Sequence, residues 1–414
     1  MKKILMFLLI LLLAFGGYIL YDIYKEKGIA LLETEDEIID IDDLFIYGNH
    51  LNLHGNLVDD KNLELVLYNG DFLSFNINAT NDGFNLSDNV NEGILLEDIP
   101  IGKYFVFLRS INKDEKDNDI YKYYVLNNKT NYKETEYYTF SNIGNKILIS
   151  SDEEYNTITL DVKKDNLEGV YDVVVDPGHG GMDSGASKNG YKESNFTMKL
   201  ALDLKEKLES YGVRVKLTRE ENQLTLNETL PNYGIHGRAV IPYEVKAKYL
   251  FSIHLNSNAY SSVGGVEVYT ADNINYDFAK KMVKNITEAA GTYYSKNEIN
   301  KVYDGVYTRT FTENDISDSL NEYKQKKMTP YDITTKSNYY FIIRETGGIV
   351  TGAYVDNRND DVTGNPYYMS NVGCEAYLLE LGYLTNKIDL ENVNNNLDKY
   401  TMAIADTFKT IFVK

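Results

Sequence analysis

Hydrophobic and polar positions are spaced in three different ways along this chain. From Ile4 to Leu20 an uncharged apolar run follows Lys2 and Lys3, predicting a helix that enters a bilayer, since a span takes about 17 to 25 residues. Between Leu44 and Val162, short runs rich in β-branched, aromatic and leucine residues are broken by Asn, Asp and Gly. They include Leu51–Leu57, Leu63–Tyr68, Phe72–Ile77, Lys103–Leu108, Tyr121–Val125, Lys146–Ile149 and Thr157–Val162. Closely spaced strands of this length predict a β-sandwich-like domain. Beyond Leu167, strand-length apolar runs alternate with helical periods, the pattern of an α/β layered domain. Phe196, Leu200, Leu204 and Leu208 recur every fourth residue as one stripe of an amphipathic helix. Val173–Val175, Val213–Leu217, Tyr249–Leu255, Val266–Tyr269, Tyr340–Ile343 and Ala376–Leu381 read as strands, with further helices near Tyr276–Ala290 and Leu397–Phe412. The expectation is a sheet of about six strands with flanking helices.

This patterning divides the chain into residues 1–22 as a transmembrane anchor or signal segment, 23–43 as an acidic linker, 44–166 as a β-rich domain and 167–414 as the α/β domain. Leu31 to Asp43 carries Glu33, Glu35, Asp36, Glu37, Asp40, Asp42 and Asp43, a density of charge that suits a solvated connector. The apolar run continues through Ile19 and Leu20 past the small residues at Ala14 and Gly16. A retained anchor is therefore preferred over a cleaved signal peptide. Lysines before the run and acids after it place the bulk of the chain outside the cytoplasm under either reading. Residues 291–337 lack a firm period and read as a long insertion, with a helix near Ile316–Lys327.

Composition narrows the function classes. An apolar share of 43% with 25% charged residues excludes global disorder and a polytopic membrane protein. The net charge of -20, with no basic stripe to offset it, argues against nucleic acid as a partner. The single cysteine, Cys374, sits in an apolar stretch and reads as a buried, inert thiol. His50 and His54 share a strand face but lack the further ligands that a metal site needs.

The chemistry concentrates in the α/β domain. Its first apolar strand runs into Asp176-Pro177-Gly178-His179-Gly180-Gly181, a loop that delivers His179 at the carboxyl edge of the sheet, where open α/β sheets bind ligands. His254 closes a second strand, and Glu193 opens the leucine-striped helix. Two histidines and one glutamate make a catalytic zinc set with one coordination place left for water. Each residue also has a plain alternative: a hydrogen-bonded loop imidazole, or a carboxylate favouring a helix N-terminus. His236, the other histidine of this region, lies in a polar loop with no strand to position it.

In these residues the chain resembles the zinc-dependent N-acetylmuramoyl-L-alanine amidases of type 3. The matching motifs are Val175–Gly181, Glu193, Leu217-Thr218-Arg219, Arg238, Ser252–Asn256, Gly265–Tyr269 and Leu379–Asn386. The resemblance implies that His179, Glu193 and His254 hold one zinc ion and that Glu380 is the catalytic carboxylate. It also implies cleavage of the amide between N-acetylmuramic acid and L-alanine in peptidoglycan. Glu380 fits independently, because it ends an apolar strand where an idle charge would be costly to bury. The chain departs from the family at Pro242 and Tyr243, where Ala-Asn is usual, and its stretch from Arg344 to Ser370 is longer. A zinc peptidase acting on the stem peptide, or an inactive membrane-tethered wall-binding protein, are the alternative readings. The β-rich domain is left as a spacer, a wall-binding module or a regulator's dock, with the spacer preferred because anchor and hydrolase flank it.

Overall fold

The structure, a computed structural model, describes residues 38–56, 62–79, 83–127, 134–152, 157–181, 183–220, 237–326, 340–355 and 365–412. The expected anchor at Ile4–Leu20 and the loop histidine His236 lie outside them. Among the described residues no helix is long and apolar enough to cross a membrane.

A seven-stranded sheet forms the centre of the C-terminal half. In spatial order its strands are Val215–Leu217, Val173–Pro177, Tyr249–Asn256, Glu375–Tyr383, Glu267–Tyr269, Val306–Tyr307 and Lys301–Tyr303. The first four run parallel, and Glu267–Tyr269 joins Glu375–Tyr383 antiparallel. Val173–Pro177 and Glu375–Tyr383 are buried at every position, which is why they read as unbroken apolar runs. Helices Glu193–Ser210, Asp277–Ala290 and Lys387–Phe412 pack on the sheet and on one another. The expected leucine stripe holds: Leu200, Leu204 and Leu208 are fully enclosed, and Phe196 packs against them partly buried.

Two local expectations fail. Tyr340–Ile343 is not a strand, because helix Phe341–Thr346 begins there. Its Ile342, Ile343 and Thr346 all turn inward, and a four-residue apolar run satisfies either periodicity until packing decides. The acidic linker also ends sooner than residue 43, since Ile38–Tyr47 is a strand. There Ile41 and Leu44 enter the core while Asp42 stays exposed, so the charges hid an aliphatic face. The 291–337 insertion contributes the two outermost strands of the sheet and helix Glu313–Lys326.

The N-terminal half is built from antiparallel ladders meeting at two strands. Ile38–Tyr47 pairs parallel with Asp119–Asn127 at its start and antiparallel with His50–Asn56 beyond. Gly102–Lys113 pairs with Leu63–Tyr68, Asp119–Asn127 and Thr157–Lys164. Their inward faces share one apolar cluster, separate from the main cluster of the C-terminal half. The two halves pack directly together. Ile46 and Tyr47 pair in parallel with Val372 and Gly373, and Phe140 stacks on Tyr249 and meets Phe412 edge-on.

Candidate metal and acid–base site

The carboxyl edge of the parallel strands gathers the chemistry. His179 lies just past strand Val173–Pro177, His254 near the end of Tyr249–Asn256, and Glu193 is the first residue of its helix. One ligand atom from each lies within 4.8 Å of the others, the sole such group of three among the described residues. Glu193 Oε1 is 3.1 Å from His179 Nε2 and 3.0 Å from His254 Nδ1. The same carboxylate accepts the backbone N–H groups of Leu255 at 2.9 Å and Ala186 at 2.8 Å. Burial alone would raise its pKa, but the two imidazoles and these donors hold it far below the usual range.

Backbone conformation aims His179. Its φ of 58° is left-handed, an uncommon state for a residue with a Cβ and one that clusters at functional sites. Asp183 closes the turn, with its Oδ2 2.7 Å from His179 Nδ1, and that contact orients the ring so that Nε2 faces Glu193. Burial presses the His179 imidazolium down, yet Glu193 and Asp183 together bring its pKa above the ordinary histidine value. Two glycines are required for space. A Cβ on Gly178 would overlap the His254 ring, and one on Gly185, at φ 62°, would stand 2.5 Å from both Glu193 and the His179 ring.

Below the loop, Asp176 is enclosed and forms an ion pair with Arg238. It also accepts the hydroxyls of Thr218 at 2.5 Å and Ser252 at 2.6 Å. Desolvation opposes its charge, but Arg238 and the hydroxyls outweigh it and keep its pKa low. Arg238 additionally donates to the carbonyls of Pro177 at 3.0 Å and His179 at 2.6 Å, and Arg219 donates to Pro177 O at 3.1 Å. The two guanidinium groups thus tie down the loop that carries His179.

Glu380 sits on the central strand, in register with His254 on one side and Glu267 on the other. It is enclosed, and among the described residues its Oε2 has no hydrogen-bond partner. Burial first, then the charges of Glu193 and Glu267, push its pKa well above the carboxylate range. Glu267 is fully satisfied by Asn256 Nδ2 at 3.0 Å, Tyr269 OH at 2.9 Å and Tyr383 OH at 2.8 Å.

All four residues singled out in the sequence therefore stand at one sheet edge. Sequence reasoning gave no role to Asp183, Asp176 or Glu267. A signal existed for two of them: Asp176 and Glu267 are charges inside apolar strands, the same feature that supports the reading of Glu380 drawn from the resemblance. His50 and His54 join no such cluster, and the His54 ring packs edge-on against Phe45 at 5.2 Å. Cys374 is a buried free thiol, whose pKa is pushed well up by its surroundings.

The fold and site define a class: an α/β domain with a His–Glu–His cluster and a buried carboxylic acid at the carboxyl edge of its sheet. A family model described as N-acetylmuramoyl-L-alanine amidase matches residues 173–409, and the chain belongs to that family. Its relatives include LytH of Staphylococcus aureus, described as a probable cell wall amidase. That similarity is 26% identity over 255 residues, covering 60% of this chain and 61% of the relative. LytH of Staphylococcus saprophyticus is 40% identical over 100 residues, covering 23% and 30% respectively. The chain thus spans less than two thirds of the length of these curated relatives. Among solved structures, the catalytic domain of CwlV, an N-acetylmuramoyl-L-alanine amidase from Bacillus (Paenibacillus) polymyxa var. colistinus, aligns with 59% of this chain and 98% of its own. The identity there is 21% and the TM-score 0.38.

Proposed function

We propose that this protein hydrolyses the amide between N-acetylmuramic acid and L-alanine in peptidoglycan, using zinc held by His179, Glu193 and His254 and a proton carried by Glu380. The observation that carries this reading is the convergence of three donor atoms beside a buried carboxyl whose Oε2 has no partner among the described residues. The donor set fits zinc, because two imidazoles and one carboxylate suit its preference and leave a divalent ion with net positive charge. When bound, zinc supplies Lewis-acid activation of water and of the scissile carbonyl.

The chain's own residues do the rest. Asp183 and the Arg238–Asp176 pair hold the His179 ring in place, and Gly178 leaves room for His254. Glu380 takes a proton from the attacking water and returns it to the departing nitrogen, acting as base and then acid. Its raised pKa suits the second role, and the positive charge of a metal favours the first. The relatives' description as cell wall amidases supports the same compartment for this chain, and the Ile4–Leu20 run supplies the route outside and the proposed membrane anchor.

The test is digestion of purified sacculi followed by labelling of new amino groups. The expected product is free L-alanine amine, released by the parent protein, abolished by chelator and restored by zinc. An amine from a later stem residue would instead identify a peptidase, and equal, negligible release by parent and Glu380→Ala protein would reject hydrolysis altogether.

A further inference from the structure

A groove of about 630 Å³ lies at the same carboxyl edge, lined by Lys188, Ser261, Ser262, Tyr293, Thr385 and Lys387 among others. The segments that follow His179, His254 and Glu380 each contribute to it. Lys188 belongs to the hairpin of residues 187–192 between His179 and Glu193. That hairpin is anchored at its base, where the Ala186 N–H donates to Glu193 Oε2 at 2.8 Å. Leu384 and Thr385 follow the strand of Glu380 and are bonded to the segment after His254. The Leu384 N–H donates to Asn256 O at 2.8 Å, and the Asn258 N–H donates to Thr385 Oγ1 at 2.9 Å. Even a fully extended chain between Glu380 and Leu384 covers only about 13 Å at the rise of a strand, so the groove begins close to the acid–base group.

Its charges are unlike those of the chain as a whole. The sequence has 62 acidic residues against 42 basic ones, yet the described residues that line the groove include Lys188 and Lys387 and no Asp or Glu. Asp389, which stands between the lining residues Ile388 and Leu390, is 2% exposed, and its Oδ2 accepts the backbone N–H groups of Gly265 and Tyr383 at 2.8 Å each. The ammonium of Lys387 lies 3.6 Å from Glu391 on its own helix. Lys188 differs. Its side chain reaches from the hairpin to the Thr385 carbonyl, at 3.3 Å, and so lies against another lining residue. Among the described residues it has no carboxylate partner. An ammonium has three donors, and one carbonyl leaves donors for an anion in the groove.

The chemistry gives the groove a direction. In the hydrolysis proposed above, Glu380 returns a proton to the departing nitrogen, so the peptide that begins at that nitrogen lies on the Glu380 side. The residues after Glu380 lead from there into the groove. Stem peptides of peptidoglycan carry carboxylates beyond L-alanine, and a chain with a net charge of -20 repels them wherever no cation intervenes. We propose that this groove holds the stem peptide and that Lys188 binds one of its carboxylates, about two to four residues beyond the scissile amide. The assignment rests on that hydrolysis reading and adds to it a preference for an anionic stem.

The test compares two soluble substrates of the zinc-supplemented full chain: N-acetylmuramoyl-L-Ala-γ-D-Glu-L-Lys with free carboxylates, and the same compound with both carboxylates amidated. Release of the L-alanine amine is followed by labelling. The acid is expected to show a KM at least about fivefold below that of the amide, the effect of one charged contact at a partly exposed site. Lys188→Met should raise KM for the acid to the level of the amide while kcat stays within about twofold, the mark of lost ground-state binding. Lys188→Arg should keep most of the preference. Lys216→Met, exposed on the edge strand Val215–Leu217, should change neither constant by more than about twofold. Equal KM for acid and amide in the parent overturns the groove assignment and leaves the hydrolysis standing. So does a Lys188→Met protein that weakens both compounds alike. Cleavage of sacculi but of neither soluble compound also overturns it, because a groove that recognises the stem acts on that stem when it is free. Cleavage of neither sacculi nor the soluble compounds rejects the hydrolysis itself, and the groove assignment with it.

Discussion

At the scale of single residues, the proposed hydrolysis separates groups that touch the reaction from groups that hold them. Glu380→Gln keeps shape and volume but cannot carry the proton. Turnover on sacculi should fall by about 10² to 10⁴, the usual share of a general acid–base, with metal content unchanged by elemental analysis. Asp183 belongs to the second group, since its contact at 2.7 Å orients the His179 ring. Asp183→Ala should weaken zinc binding about 10- to 100-fold in competition with a chelating dye, as loss of such supporting contacts does. A variant with parental zinc affinity would show that the loop alone orients the ring. The Glu380 oxygen, unpartnered among the described residues, and the fully bonded Glu267 carboxylate are neighbours on paired strands. One is left able to exchange a proton, while the other is fixed by three donors.

Elements explain why parts of this were legible in advance. The buried strands announce themselves as apolar runs, and a histidine or acid at their ends stands out against that background. His179 and His254 are readable for this reason, Glu193 because it opens a clearly striped helix, and Glu380 through the family resemblance, with which its place at the end of an apolar strand agrees. Asp183 was not, because its role arises from a left-handed turn at His179 that no periodicity encodes. Helix Phe341–Thr346 was misread for a related cause: Tyr340–Ile343 is too short for its period to be decided before the surrounding packing is known. In the Ile38–Tyr47 strand, alternating acids masked alternating aliphatics. The loop element itself yields a prediction, since Gly178 faces the His254 ring with no space for a methyl group. Gly178→Ala must displace either the loop or the ring, so zinc content and turnover should both fall by at least about tenfold, whereas the helices, packed elsewhere, should keep the far-ultraviolet circular dichroism unchanged. Parental zinc content in this variant would mean that the loop yields without loss.

At the scale of the whole molecule, the β-rich half supplies side chains to the core of the other half. Phe45, Tyr47, Val90 and Phe140 belong to the same apolar cluster as the seven-stranded sheet, and Asn91 Nδ2 donates at 3.0 Å to Glu375 Oε1 at the opening of the central strand. Glu375 is enclosed, and desolvation pushes its carboxyl up to about 7 even though Tyr377 and Asn91 donate to it. An acid whose pKa rises on folding holds more protons in the folded state, so its contribution to stability is complete below the unfolded value near 4.5 and is lost as pH rises through about 7. The loss amounts to roughly 3 kcal/mol as an order of magnitude. Urea unfolding of the parent and of Glu375→Gln between about pH 4.5 and 8 isolates this group, because every other titration is common to both. The variant's stability should decline less with pH, so that the difference between the two proteins grows in the variant's favour up to about pH 7 and then levels. A constant difference across that window would mean that the junction between the halves opens enough to hydrate Glu375, and that the β-rich half is held there more loosely than its contacts indicate.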